Sequence, residues 1–147
     1  MKTKIRGATK ADLGEVFRLE QAGFGSHGYP DFLFRQLLEL WPNFLLVAES
    51  EGGLVGYALG GMGEAKEQGW ILSLAVDERL RGQGIGKALL QRLVAELTER
   101  GCTELRLTVH PDNTAVGLYR VLGFELETSE PDYFGPGEPR LVLLRRD

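Results

Sequence analysis

Apolar residues recur along this chain with two different periods, and the switches between them predict a mixed succession of strands and helices. Residues 3 to 8 read as a short strand, and Thr9-Lys10-Ala11-Asp12 has capping-box spacing with Asp12 where glutamate is usual. Leu13, Val16, Phe17 and the run from Glu20 to Phe24 then return every three or four residues, until Gly23, Gly25 and Gly28 interrupt the pattern. Pro30 suits the first turn of a second helix, whose one face carries Phe32, Leu33, Gln36, Leu37 and Leu40 and which stops before Pro42.

The period then shortens. Residues 44 to 49 read as a buried strand, Glu51-Gly52-Gly53 as a hairpin turn, and residues 54 to 62 as the partner strand. A polar link from Gly63 to Gly69 leads to a further strand over 70–76. The longest helix follows, with Ile85, Ala88, Leu89, Arg92, Leu93, Glu96 and Leu97 on one stripe and Gly101 as its stop. Leu105, Leu107 and Val109 alternate with Arg106 and Thr108, so a strand over 104–109 turns Thr108 away from the core side chains. Pro111-Asp112-Asn113 starts a short helix through Leu118, Tyr119 and Leu122, and residues 124–128 and 140–145 read as the last two strands. No internal repeat is visible, and residues 1–147 have the size of a single domain.

Composition narrows the classes. Apolar residues at 43% and charged residues at 26% belong to a folded globular chain, and a net charge of −4 disfavours nucleic acid and anionic membranes as partners. The single Cys102 excludes an internal disulfide, and with His27 and His110 as the only histidines no metal site is expected. No apolar stretch approaches membrane-spanning length, so a cytoplasmic chain is expected.

Between the 70–76 strand and the long helix lies Arg81-Gly82-Gln83-Gly84-Ile85-Gly86. Glycines let the backbone turn tightly, and the helix that starts there aims unpaired N–H groups and its positive dipole end at an anion. Arg79, Arg81, Lys87 and Arg92 add a local positive patch, so a pyrophosphate-bearing ligand is expected. The run is G-x-G-x-G, which fails the G-x-G-x-x-G dinucleotide spacing, and Ala88 after Lys87 fails the P-loop requirement for a hydroxyl.

Arg-x-x-Gly-x-Gly between a strand and an amphipathic helix resembles the coenzyme A pyrophosphate loop of the GNAT acetyltransferase superfamily. The likeness extends to Leu74-Ala75-Val76-Asp77, to Asn113 with Leu118-Tyr119, and to Leu122-Gly123-Phe124. The phrasing of residues 70 to 124 looks nearest to the branch that acetylates N-terminal alanines of ribosomal proteins. The resemblance implies an α/β (α+β mixed) fold whose mostly antiparallel sheet has about seven strands, with about four helices. It further implies a splay between strand 70–76 and strand 104–109. The implied activity is acetyl transfer from acetyl-coenzyme A to a primary amine by direct attack in a ternary complex, with no metal. A non-catalytic acyl-coenzyme A sensor is the alternative.

Residue by residue, the resemblance implies cofactor binding by Leu74, Ala75, Val76, Arg81, Gly82, Gln83, Gly84, Ile85, Gly86 and Lys87, with a backbone N–H of 74–76 on the thioester oxygen. Tyr119 is implied as the general acid for the departing thiolate. Asn113 is implied as the pantetheine holder, although it precedes Tyr119 by six residues where the family has seven, which would select Asp112. The nearest branch has a glutamate where this chain has Thr108, which leaves Glu64 or Glu67 acting through water, or His110, as candidate bases. The acceptor, a peptide N-terminus, a lysine or an amine-bearing small molecule, is expected where segment 23–30, the second helix and loop 129–139 converge. Asp31, Glu64, Glu67, Glu130 and Asp132 would draw a cation there, Phe32, Phe34, Tyr133 and Phe134 would form an apolar wall, and Tyr133 leads the specificity candidates. An exposed edge or final strand suits a homodimer.

Overall fold

The computed structural model describes residues 2–147. Strand alternation and helical stripes become seven strands and four α-helices. In chain order these are β1 (Lys4–Gly7), α1 (Leu13–Phe24), α2 (Asp31–Leu40), β2 (Leu45–Ser50), β3 (Gly53–Met62), β4 (Gln68–Val76), α3 (Ile85–Glu99), β5 (Glu104–Val109), α4 (Val116–Val121), β6 (Glu125–Glu130) and β7 (Arg140–Arg146). The strands form one sheet in the order β1-β2-β3-β4-β5-β7-β6, antiparallel everywhere except between β4 and β5.

Two apolar layers sandwich the sheet. On one face α3 buries Ile85, Leu89, Leu90, Leu93 and Leu97 against Leu46, Ala58 and Leu105. Each such side chain contributes about 1.5–3 kcal/mol when removed from water, which pins α3 and so fixes where its first turn points. On the other face Val16 and Leu19 of α1 and Phe34 and Leu37 of α2 pack on Leu45, Val47, Tyr57 and Leu59. No helix among the described residues is long and apolar enough to cross a membrane.

Several boundaries differ from the sequence pattern for physical reasons. Pro30 stands at the N-cap of α2, one position before its first turn. Strand β4 starts at Gln68, because Gly69 pairs with both Met62 and Leu105. A Cβ at Gly69 would lie 2.8 Å from Leu105 Cδ2 and 3.0 Å from Cys102 Sγ, so this glycine serves close packing and not a loop. Helix α4 starts at Val116, because Asn113 Oδ1 accepts the Ala115 N–H at 2.8 Å and holds the preceding residues in a turn. The Thr9–Asp12 capping box is formed, ahead of α1.

The sheet opens at its middle. Strands β4 and β5 pair only from Gln68–Glu104 to Ile71–Leu107, whereas β5 stays paired with β7 as far as Val109–Leu141. Beyond Ile71, β4 keeps only its β3 neighbour, and a register shift opposite Leu59/Gly60 leaves Leu72 as an extra residue. Such a bulge bends a strand and re-aims its side chains.

Candidate active site

The splay forms the mouth of a cleft of about 1110 Å³ that reaches both faces of the sheet. Glu20, Gly23 and Phe24 of α1 line it on one side, and Gly86 of α3 with Ala115 and Leu118 on the other. That volume exceeds the usual range for a single small ligand, so it has room for a cofactor arm and an acceptor together.

The glycine run closes one end. Gly82 and Gly84 have φ of +81° and +82°, a region that side chains disfavour, and the backbone reverses there into α3. Gly84 is the N-cap and supplies no side-chain acceptor, so the N–H groups of the first turn face outward, and the first α3 bond is Ala88 N–H to Gly84 O at 3.0 Å. Arg79 is bound to Asp77 at 2.9 Å and Arg92 to Glu96 at 3.1 Å. The positive patch therefore narrows to Arg81 and Lys87, which make no ion pair with another described residue. Arg81 lines the cleft. An uncapped helix end beside a free arginine, next to a strand with open backbone groups, fits a pyrophosphate joined to an amide-bearing arm.

Leu74, Ala75 and Val76 line the cleft along the unpaired side of β4. Across from them, Tyr119 is only 7% exposed and stacks edge-on to Phe124 at 6.1 Å. Burial alone pushes its phenol up to about 12. Asn113 also lines the cleft; its Oδ1 is used in the turn, which leaves its amide N–H₂ as the group free to hold a ligand carbonyl. Asp112, the other candidate for this task, has a 92% exposed side chain.

At the far end, between the α1–α2 segment and the β6–β7 loop, the cleft is lined by His27, Tyr29, Phe134, Glu138 and Arg140. His27 Nδ1 lies 4.0 Å from Glu138 Oε1, Glu138 Oε2 lies 3.8 Å from Arg140, and the Arg140 guanidinium stands 5.0 Å above the Phe134 ring.

Not every predicted residue arrives here. Glu67 precedes the paired end of β4, where its carbonyl accepts the Thr103 and Glu104 N–H groups, so it sits at the opposite end of the strand from the splay. Asp31, Phe32 and Tyr133 do not line the cleft; Phe32 is 62% exposed on the outer side of α2, and Tyr133 instead stacks on its neighbour Phe134. Thr108 and His110 do line it.

Sequence reasoning missed Glu20 as a site residue. It is buried at 2% exposure, and burial raises its pKa. Its Oε2 accepts the Tyr29 N–H at 2.8 Å, and its Oε1 accepts the hydroxyls of Ser73, at 2.8 Å, and Tyr57. The signal was present: a carboxylate four residues after Val16, on the apolar stripe of α1.

The sequence profile of the Acetyltransferase (GNAT) family matches residues 13–124. The chain belongs to the GNAT family. An uncharacterized N-acetyltransferase of Methanocaldococcus jannaschii is 33% identical over 97% of this chain and 90% of its own length. A putative [ribosomal protein bS18]-alanine N-acetyltransferase of Bacillus subtilis is 30% identical over 97% and 96%. Among solved structures, Ard1 of Thermoplasma volcanium superposes with a TM-score of 0.91 at 27% identity, covering 99% of this chain and 98% of that one. This GNAT protein is an acetyl-coenzyme A-dependent N-acetyltransferase, and its splayed β4 and Gly82–Gly84 turn are the places suited to that cofactor.

Proposed function

We propose that this acetyltransferase acts on the α-amino group of a polypeptide N-terminus. The observation that carries this reading is the acceptor end of the cleft, an open passage between the α1–α2 segment and the β6–β7 loop with the Glu138 carboxylate beside the aromatic wall of Tyr29 and Phe134. Glu138 already pairs with Arg140 at 3.8 Å, so its pull on an ammonium is tempered, and the aromatic walls, which suit the first side chains of a peptide, carry most of the reading. The similarity to the putative [ribosomal protein bS18]-alanine N-acetyltransferase of Bacillus subtilis supports the same class.

The cofactor supplies a thioester carbonyl and a thiol leaving group. This chain's part is to hold, orient and move protons. The first-turn N–H groups of α3 and the Arg81 guanidinium hold the pyrophosphate. The unpaired backbone of Leu74–Val76 bonds the arm and places an N–H where negative charge develops on the carbonyl oxygen. Tyr119 keeps its proton at neutral pH, because burial pushes its phenol up to about 12, and would offer that proton from the phenol oxygen to the departing sulfur. A thiol's ordinary pKa is about 8.5, so transfer from a phenol held this high is uphill even to the free thiolate, and the assistance Tyr119 gives is a hydrogen bond that strengthens as charge develops on the sulfur.

His110 is poorly set up to take the amine's proton. Its Nδ1 accepts the Asp112 N–H at 3.1 Å, so in the neutral ring the other nitrogen carries the hydrogen. Thiol release from acetyl-coenzyme A tests the reading, with an alanine-initiated peptide and the same peptide blocked at its N-terminus. Release is expected with the free amine alone; equal release with the blocked, lysine-containing form would sink the α-amine assignment.

A further inference from the structure

We infer that Ser73 and Glu20 form a proton relay that neutralises the acceptor amine, doing the work that Thr108 cannot. The inference rests on the proposed transfer to an amine. Three independent features of the fold converge on it.

The first is the bulge in β4. The extra residue at Leu72 leaves Ser73 opposite Leu59, whose side chain belongs to the α1–α2 layer, so Ser73 faces that layer from the splayed part of the strand. It therefore stands next to Leu74, within the stretch suited to the thioester, and on the side from which the acceptor enters.

The second is hydrogen-bond direction. Glu20 Oε1 accepts from both Tyr57 and Ser73, and Oε2 accepts from Tyr29 N–H. The Tyr29 N–H and the Ser73 hydroxyl favour the ionised form of Glu20, against the burial that raises its pKa. Ser73 donates its hydrogen to Glu20, and the Tyr57 hydroxyl, 2.8 Å from Ser73 Oγ, donates its own to Glu20 as well, so the serine oxygen keeps a lone pair for an incoming ammonium N–H.

The third is charge. Tyr29, through its backbone N–H, and Tyr57 of β3 bond Glu20; His27 of the α1–α2 segment, Glu138 of the β6–β7 loop and Arg140 of β7 line the same cleft, and no cation forms an ion pair with Glu20 among the described residues. A buried, unpaired carboxylate gains by becoming neutral, and burial raises its pKa accordingly.

The step balances with a single proton. One N–H bond of the acceptor ammonium breaks as its proton reaches Ser73 Oγ, while the Ser73 hydroxyl proton passes to Glu20 Oε1. The products are a neutral amine and a neutral Glu20 carboxylic acid. Because an α-amino group has a reference pKa of about 8 and a lysine about 10.4, the relay favours a peptide N-terminus over a lysine by about 10²-fold.

The test is the pH dependence of kcat/KM from thiol release with the alanine-initiated peptide, for the wild type, Glu20→Gln and Ser73→Ala. At pH 7, Glu20→Gln is expected to lose about 10²-fold or more, the scale of a general base. Near pH 9.5, where the amine is already neutral, its deficit should shrink to within about fivefold. A deficit constant across pH would make Glu20 a structural clamp for Tyr29 and overturn the relay. If Glu20→Gln shows no thermal shift with acetyl-coenzyme A, Ser73→Ala, which keeps the Tyr29 and Tyr57 bonds to Glu20, decides by the same criterion. Should the wild type acetylate only a lysine peptide, the α-amine reading falls and the same pH comparison on that peptide still judges the relay. Cofactor binding without release from either peptide overturns both.

Discussion

Ile71 and Leu107 form the last paired position between β4 and β5, and from there β5 follows β7 while β4 follows β3. The alternate backbone groups of Leu72–Val76 that point toward β5 thus have no strand to bond. Unbonded amides exchange their hydrogens quickly. Acetyl-coenzyme A is expected to slow exchange within Leu72–Val76 while leaving β2 unchanged. Hydrogen-exchange mass spectrometry or NMR measures this directly; a cofactor-induced thermal shift without protection in that stretch would refute strand-like binding.

Gly84 tests the phosphate turn. Its φ of +82° costs a residue with a side chain about 1–2 kcal/mol, and no atom lies within 4 Å of where a Cβ would stand. A Gly84→Ala change is therefore strained through its backbone alone. Relief of that strain displaces the first-turn N–H groups of α3, and the Kd for acetyl-coenzyme A should rise about tenfold. Titration calorimetry gives the value, and an unchanged Kd would show that this turn does not hold the cofactor.

Tyr119→Phe separates proton delivery from packing. The ring keeps its edge-on contact with Phe124, so folding and cofactor affinity should stay close to wild type. The value of kcat should fall about 10²-fold, the usual scale for a lost general acid. Because burial holds the phenol up to about 12, the wild type should show no Tyr119-dependent loss of kcat below pH 10. Full turnover by the phenylalanine variant would remove Tyr119 from the chemistry.

What could be read in advance divides along the line between local and distant causes. The stripe of Leu89, Leu93 and Leu97 and the alternation of Leu105, Leu107 and Val109 follow from period alone, and both elements lie where the pattern places them. The architecture as a whole, including the splay, was legible through the glycine run and its flanking motifs. Glu20 was not, because its role depends on Tyr57 and Ser73, 37 and 53 residues away. Gly69 looked like a loop residue, since only the approach of Leu105 and Cys102 reveals why it lacks a side chain. Asp31 and Phe32 lie near the acceptor segment in sequence, but the first turn of α2 carries them away from the cleft.

A final prediction concerns stability apart from the cleft. Arg6 donates to both oxygens of Asp12, at 2.8 and 3.0 Å, and the Thr9 N–H donates to Asp12 Oδ2 at 2.8 Å, which ties β1 to the start of α1. The Arg6 guanidinium holds the Asp12 carboxyl down to about 2, from an ordinary 3.8. A pKa depressed by folding stabilises the native state above the unfolded value, and that contribution disappears as pH falls from about 4 through about 2. Its size is about 2 kcal/mol, since Asp12 keeps only 11% of its side chain exposed. Asp12→Asn should therefore lower Tm at pH 7 by about 4–8 °C. The gap between variant and wild type should close as the pH approaches 2, where the aspartate itself is protonated. Thermal melts followed by circular dichroism at pH 7, 4 and 2.5 measure it, and a gap that stays constant over that range would mean the ion pair contributes nothing to folding.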